Sequence, residues 1–209
     1  DIATYVNASS GNSIDGLSDA QSEGSNFTGS MILGHQTTGT LSSAEYNTAV
    51  GINAMDAITT GDNNIAVGYE ALTSLTSGGY NTAVGYRSLY TNTTGSNNVA
   101  IGRSTLRSNT SGYQNIAIGP YSMNDNTTGI NNTAMGIQSL ANNTTGESNT
   151  AIGISSLNRS TTSSYNTAVG ADANTWNTTG ASNTSVGYSA LNDNTTGTRN
   201  IAIGALAYD

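Results

Sequence analysis

From residue 30 to the end of the chain, apolar and polar positions follow one order that restarts every 17 residues. The clearest marker is Asn47-Thr-Ala-Val-Gly51, which returns as Asn64-Ile-Ala-Val-Gly68, Asn81-Thr-Ala-Val-Gly85, Asn98-Val-Ala-Ile-Gly102 and Asn115-Ile-Ala-Ile-Gly119. Its glycine stands at 34, 51, 68 and onward to 204, without insertion or deletion. A period this strict means like units stacked on one another, each burying its neighbour's face. The consensus is Asn-[Thr/Ile]-Ala-[Val/Ile]-Gly-x-x-[Ala/Ser]-Leu-x-x-Asn-Thr-Thr-Gly-x-x.

Each column predicts a place in the unit. Val50, Val67, Val84, Ile101, Ile118, Met135, Ile152, Val169, Val186 and Ile203, with Leu33, precede the glycine. Mostly β-branched, they read as the core ladder of a short strand. The Thr, Ile or Val two residues earlier shares their face, because strand side chains alternate. The intervening column is almost always Ala, so the opposite face is expected to stay small and flat, open to a second chain. Four residues after the glycine come Leu72, Leu89, Leu106, Leu140, Leu157 and Leu191, with Met55 and Met123 as equivalents, completing the core. Asn-Thr-Thr-Gly is turn chemistry.

Gly, Asn and Thr in every turn's length, and apolar residues off a 3.6 spacing, exclude a helix. The pattern predicts an all-β chain: a parallel β-solenoid of about eleven 17-residue coils with two short strands each, making a rod on the order of 50 Å long. The Asn heading each motif can bond its counterparts along the axis. Three slips stand out. The first coil carries His35 and Gly39 without the turn motif, Arg159-Ser-Thr-Thr-Ser163 lacks the usual Asn and Gly, and Asn174 replaces Leu with Trp176 just after it. The last two predict an altered loop over 158–176, with Trp176 covering the missing leucine. Residues 1–29 precede the clean repeat domain at 30–209. There Asp1-Ile-Ala-Thr-Tyr-Val6 reads as a strand and Asn12-Ser-Ile-Asp-Gly16 as a worn motif, making a linker, worn coil or N-terminal cap.

Composition narrows the partners. With 13 Asp+Glu against 5 Lys+Arg the formal charge is −8, and all five basic residues are arginines. No basic stripe exists for nucleic acid, and an anionic membrane surface is disfavoured. No apolar run nears the ~20 residues of a spanning helix, so no membrane insertion is expected in this segment. No signal peptide is visible in the sequence given, which is compatible with a processed piece of a longer chain. Cysteine is absent, which excludes disulfides. Each coil offers few large apolar side chains against the entropy of ordering 17 residues. A homo-oligomer of parallel rods, dimer or trimer, is the economical way to bury more surface.

The motif at Asn115-Ile-Ala-Ile-Gly-Pro120 and its copies from Asn47 to Gly204 resembles the head repeats of trimeric autotransporter adhesins. The full unit, as in Asn81-Thr-Ala-Val-Gly-Tyr-Arg-Ser-Leu-Tyr-Thr-Asn-Thr-Thr-Gly95, is similar to repeats of phage tail fibres and bacterial tail-fibre-domain proteins. The likeness covers residues 30–209 and departs from the adhesin head in its longer coil. It implies a left-handed β-roll, a homotrimeric fibre, and a shaft or head that attaches to a host or other surface through an unidentified receptor or glycan. The corresponding location is extracellular, on a cell surface or a virion tail.

Residues with candidate chemistry are few. His35 has no nucleophile motif beside it, and one His without Cys makes no zinc cluster, so no enzyme, metal or cofactor is expected. Asn124-Asp125-Asn126 and Asn192-Asp193-Asn194 lack the dense carboxylates of a calcium loop and read as turns. Asn92, Asn109, Asn126, Asn143, Asn177 and Asn194 stand in Asn-x-Thr/Ser at what reads as an exposed turn and are possible glycosylation sites. Tyr69, Tyr86 and Tyr188 follow the glycine in a column also holding Arg103, Pro120 and Ala171, which predicts partial exposure. A non-enzymatic structural or adhesive fibre is the leading reading. The alternatives are an ice-binding solenoid using Thr59, Thr76, Thr93, Thr110, Thr127, Thr144, Thr161, Thr178 and Thr195, an end-to-end filament, and, last, a polysaccharide-cleaving solenoid enzyme.

Overall fold

In the computed structural model the described residues are Ala20–Ser22, Met31–Leu33 and 43–208. The strand expected over 1–6, the worn motif at 12–16, and the first coil's His35 and Gly39 lie outside them. Among these residues twelve three-residue strands follow one another: β1 (Ala20–Ser22), β2 (Met31–Leu33), β3 (Thr48–Val50), β4 (Ile65–Val67), β5 (Thr82–Val84), β6 (Val99–Ile101), β7 (Ile116–Ile118), β8 (Thr133–Met135), β9 (Thr150–Ile152), β10 (Thr167–Val169), β11 (Thr184–Val186) and β12 (Ile201–Ile203). They form one sheet in chain order. β1 pairs with β2 antiparallel, and every later neighbour pairs parallel. Val67 faces Val84, and Val84 faces Ile101, so a 17-residue step returns each side chain to its own column. The chain is a parallel β-solenoid.

Among the described residues one strand per coil, not two, is found. After the strand the glycine turns with φ near +130°, and three non-glycine residues per coil then take left-handed backbone. In one coil these are Arg87 (φ 53°), Leu89 (φ 50°) and Asn97 (φ 58°). Left-handed backbone costs roughly 1 kcal/mol per residue. It is offset because it aims the amides along the axis. Arg87 N–H donates back to Tyr69 O (2.9 Å), Leu89 N–H forward to Thr105 O (3.0 Å), and Asn97 N–H back to Gly79 O (2.9 Å). Stacking satisfies the backbone where extension does not.

The expected core ladder is turned inside out. The alanine column, including Ala66, Ala83, Ala100 and Ala117, is wholly buried. Val50, Val67, Ile101, Ile118, Met135, Ile152, Val186 and Ile203 point outward and are exposed, while Val84 and Val169 on the same face are half-buried. The reason is thickness. A narrow coil holds one large side chain opposite the strand, and the leucine column takes that space, with Met55, Leu72, Leu89, Leu106, Met123, Leu140, Leu157 and Leu191 all at 0% exposure. Only a methyl fits across from it. The alanine face therefore cannot receive a second chain.

Two asparagine columns complete the interior. Asn64 Nδ2 donates to Asn47 Oδ1 (3.1 Å) and to Gly78 O (3.0 Å), and the Asn64 N–H donates to Asn47 Oδ1 (2.9 Å). The pattern repeats at Asn81, Asn98, Asn132, Asn149 and Asn166. In the second column Asn109 Nδ2 donates to Asn92 Oδ1, Asn126 to Asn109, and Asn143 to Asn126, each at 2.8 Å. Ile58 and Leu75 hold the same register in earlier coils, and Ser160 interrupts it later, leaving Asn143 Oδ1 without a partner.

No altered loop forms over 158–176. Leu157 N–H donates to Ala173 O (3.0 Å) and Asn174 N–H to Ala190 O (2.9 Å), as in neighbouring coils. Asn174 sits wholly buried in the leucine column with both amide atoms unpartnered. Trp176 does not cover it. The indole is 43% exposed and lies under the Arg159 guanidinium, 3.7 Å from the ring centre. A buried unsatisfied amide costs ~1–3 kcal/mol, and leucine would add apolar burial. Leu157 and Leu191 already accept the left-handed backbone there. Asn174→Leu is expected to raise unfolding free energy by about 2 kcal/mol, read from the urea midpoint. A less stable variant contradicts this packing.

Candidate interaction surfaces

The inversion of the strand places the aliphatic column on the outside. In β3–β12 the outward positions are all Thr, Val, Ile or Met, and none is charged. Val67 (38% exposed), Ile101 (39%) and Ile152 (37%) run down one edge of this face, beside Ile65 (45%) and Ile116 (37%). Tyr46, Tyr80 and Tyr165 border it on one side, and Ile52, Tyr69, Tyr86, Ile137, Ile154 and Tyr188 on the other. Three residues per strand and strand spacing of ~4.8 Å make the face on the order of 500 Å². That is the size of the largest apolar patch on an ordinary monomer, which is often functional.

The turn side is different. Thr59 Oγ1 donates to Thr76 O (2.9 Å), Thr76 to Thr93 O (3.0 Å), and the same bond recurs through Thr178. The threonine ladder exists, but its hydroxyl hydrogens are committed to the next coil. The predicted glycosylation turn is not exposed at its asparagines. Asn92, Asn109, Asn126, Asn143 and Asn177 are fully buried, with Nδ2 donating to the carbonyl of the turn glycine or serving the ladder, and Asn194 is half-buried with Nδ2 on Gly197 O (3.2 Å). A glycan has no room at the five fully buried asparagines in the folded chain. Asn126, set in this ladder, is likewise turned away from any cation at Asp125, and among the described residues no three His, Cys, Asp or Glu side chains gather.

A third surface lies on the wall just past the glycine bend. Tyr69, Tyr86 and Tyr188 are 41%, 44% and 57% exposed, in line with expectation for their column. Tyr69 stacks on Tyr86, ring centres 5.5 Å apart and planes at 11°. The Arg87 guanidinium lies 5.2 Å from the centres of both Tyr86 and Tyr90, Arg107 lies 5.7 Å from Tyr90, and Arg103 lies 4.9 Å from Tyr121, to whose hydroxyl it also donates. Arg87 Nε donates to Glu70 Oε2 at 2.6 Å. That bond holds the guanidinium above its ordinary pKa, and the Glu70 carboxylate raises the neighbouring Tyr69 phenol. Tyr86, Arg87, Arg103, Ser104, Arg107, Tyr121 and Asn124 line an open groove of about 520 Å³. Sequence reading noticed Tyr69, Tyr86 and Arg103 but missed Arg107, Tyr90 and Tyr121. Writing the chain in rows of 17 would have shown them, since 86 and 103, 87 and 104 and 121, and 90 and 107 share columns.

Comparison of the chain with protein-family models, with curated proteins and with solved structures finds no match in any of the three.

Proposed function

We propose that this chain is a non-enzymatic fibre segment, a stiff rod whose outward Val/Ile face is covered by further copies of itself in a homotrimer, and which spaces or presents an attachment surface outside the cell or on a virion tail. The observation that carries the reading is the uncharged apolar column, unbroken from Val50 to Ile203. Loss of charge at the centre with tyrosines at the borders is the composition of an interface core. A flat face repeating along a rod suits closed cyclic symmetry, because a threefold axis parallel to the rod brings three identical faces together in one register. The resemblance to trimeric adhesin heads and tail fibres favours three chains over two.

Sedimentation equilibrium tests it. The expected mass is three times the 21.2 kDa chain. Ile101→Glu, which sets three carboxylates against one another across the axis, is expected to yield a folded monomer with unchanged circular dichroism. A parent chain that sediments as a monomer at micromolar concentration would remove the fibre reading, and an end-to-end polymer would replace it.

A further inference from the structure

The Arg–Tyr groove is unexplained by a fibre held together through its sheet face. The chain carries a formal charge of −8, yet three of its five arginines stand in two consecutive coils. Like charges so close repel, and in an acidic, otherwise sparsely charged rod nothing about folding calls for them. Arg87 is paired with Glu70. Arg103 and Arg107 have, among the described residues, aromatic faces and no carboxylate beside them. Contact with the Tyr90 and Tyr121 rings positions the two guanidinium groups; Arg103 spends one N–H on the Tyr121 hydroxyl, and the remaining donors of the two planar forks suit bidentate recognition of an oxyanion.

We propose that this groove binds an acidic carbohydrate, with Arg103 and Arg107 holding the carboxylate or sulfate of a sugar unit and Tyr86 and Tyr121 lying against its ring. A volume of about 520 Å³ falls within the usual size of small-ligand sites. Carbohydrate is favoured over nucleic acid for an electrostatic reason. Positive charge is clustered only in this groove, with Arg159 and Arg199 standing singly further along the chain, so a long phosphate backbone leaving it would run onto a net-acidic rod. The wall also follows the glycine bend: Tyr86 and Arg103 stand in the column bordering the strand face, while Arg107 and Tyr121 lie beyond it, so the outward Val/Ile side chains proposed to hold the trimer are not those proposed to hold the sugar.

Titration calorimetry on the full chain, with oligogalacturonate, a heparin oligosaccharide, neutral dextran and single-stranded oligo-dT as separate probes, decides it. Expected is binding of one of the two acidic saccharides, weakened by added salt, with the stronger of them naming the acid group. Arg103→Gln combined with Arg107→Gln should weaken that binding by about ten-fold or more, while thermal stability and sedimented mass stay as in the parent. The Lys substitutions, keeping charge without the fork, should recover only part of the loss. Absence of binding to either acidic saccharide, indifference to the Gln pair, equal binding of dextran, or tighter binding of oligo-dT would each overturn the proposal. A trimer that binds nothing defeats this inference alone, and a monomer that binds defeats the fibre reading alone.

Discussion

Gly119→Ala is expected to lower unfolding free energy by about 4 kcal/mol or more. Gly119 has φ +121°, a conformation side-chain-bearing residues rarely adopt. A Cβ there would meet the Gly136 backbone, its oxygen at 2.6 Å and its carbonyl carbon at 2.8 Å. Both atoms belong to the main chain of the next coil, so no rotamer can yield. The coils would have to part, and the axial bond from Gly136 N–H to Ile118 O (2.8 Å) would stretch with them. Because each coil touches only its neighbours, damage should concentrate between β7 and β8 and show as fast amide exchange there. Pro120→Ala beside it, at an exposed position, should shift stability by no more than about 0.5 kcal/mol. Equal effects of the two in a urea titration would mean the glycines are not held against one another.

Asn98→Asp should cost nearly as much, and the cost should depend on pH. Asn98 is wholly buried. Its Nδ2 donates to Gly112 O (2.9 Å) and Asn81 Oδ1 (3.2 Å), and its Oδ1 accepts from Asn115 N–H (3.0 Å). A carboxylate keeps the acceptor but turns both donor contacts into oxygen facing oxygen. Ionised and unpaired in the interior, it should destabilise by about 4 kcal/mol at pH 7. Burial raises an Asp pKa in the folded state above its unfolded value of about 4. The sign follows: the protonated acid, which can donate once, is favoured by folding, so the deficit shrinks as pH falls and is smallest below about pH 4. Urea midpoints at pH 7 and pH 3.5 check this. A deficit that grows in acid would contradict the ladder. Asn98→Ala separates the charge, since it should lose about 2–3 kcal/mol at both pH values.

Periodicity made the register legible, and with it the solenoid, the leucine column and the asparagine ladder. It did not fix which side of the strand faces inward. Val67 and Leu72 are both large and aliphatic, and nothing in one coil's residues says that the interior admits only one of them. That is set by the coil's thickness, which depends on left-handed backbone at residues such as Arg87 and Leu89. Neither is a residue type that signals such backbone; the stack of axial hydrogen bonds imposes it. The same cause hid the single strand per coil and the burial of Asn92 and its counterparts. The Arg–Tyr groove was hidden differently, since its parts are 17 residues apart and look scattered until the coils are laid one upon another.

The absence of cysteine allows the outward face to be probed directly. Single thiols are placed at Val84→Cys, on the strand face, and at Thr94→Cys, on the exposed turn. Maleimide labelling of the native protein is then timed at each. A rod clasped face to face by its own copies predicts rapid modification at 94, protection at 84 until the assembly is dissociated, and oxidative cross-linking of two chains through 84 alone. Modification of 84 as fast as 94, with no cross-link formed, would contradict it.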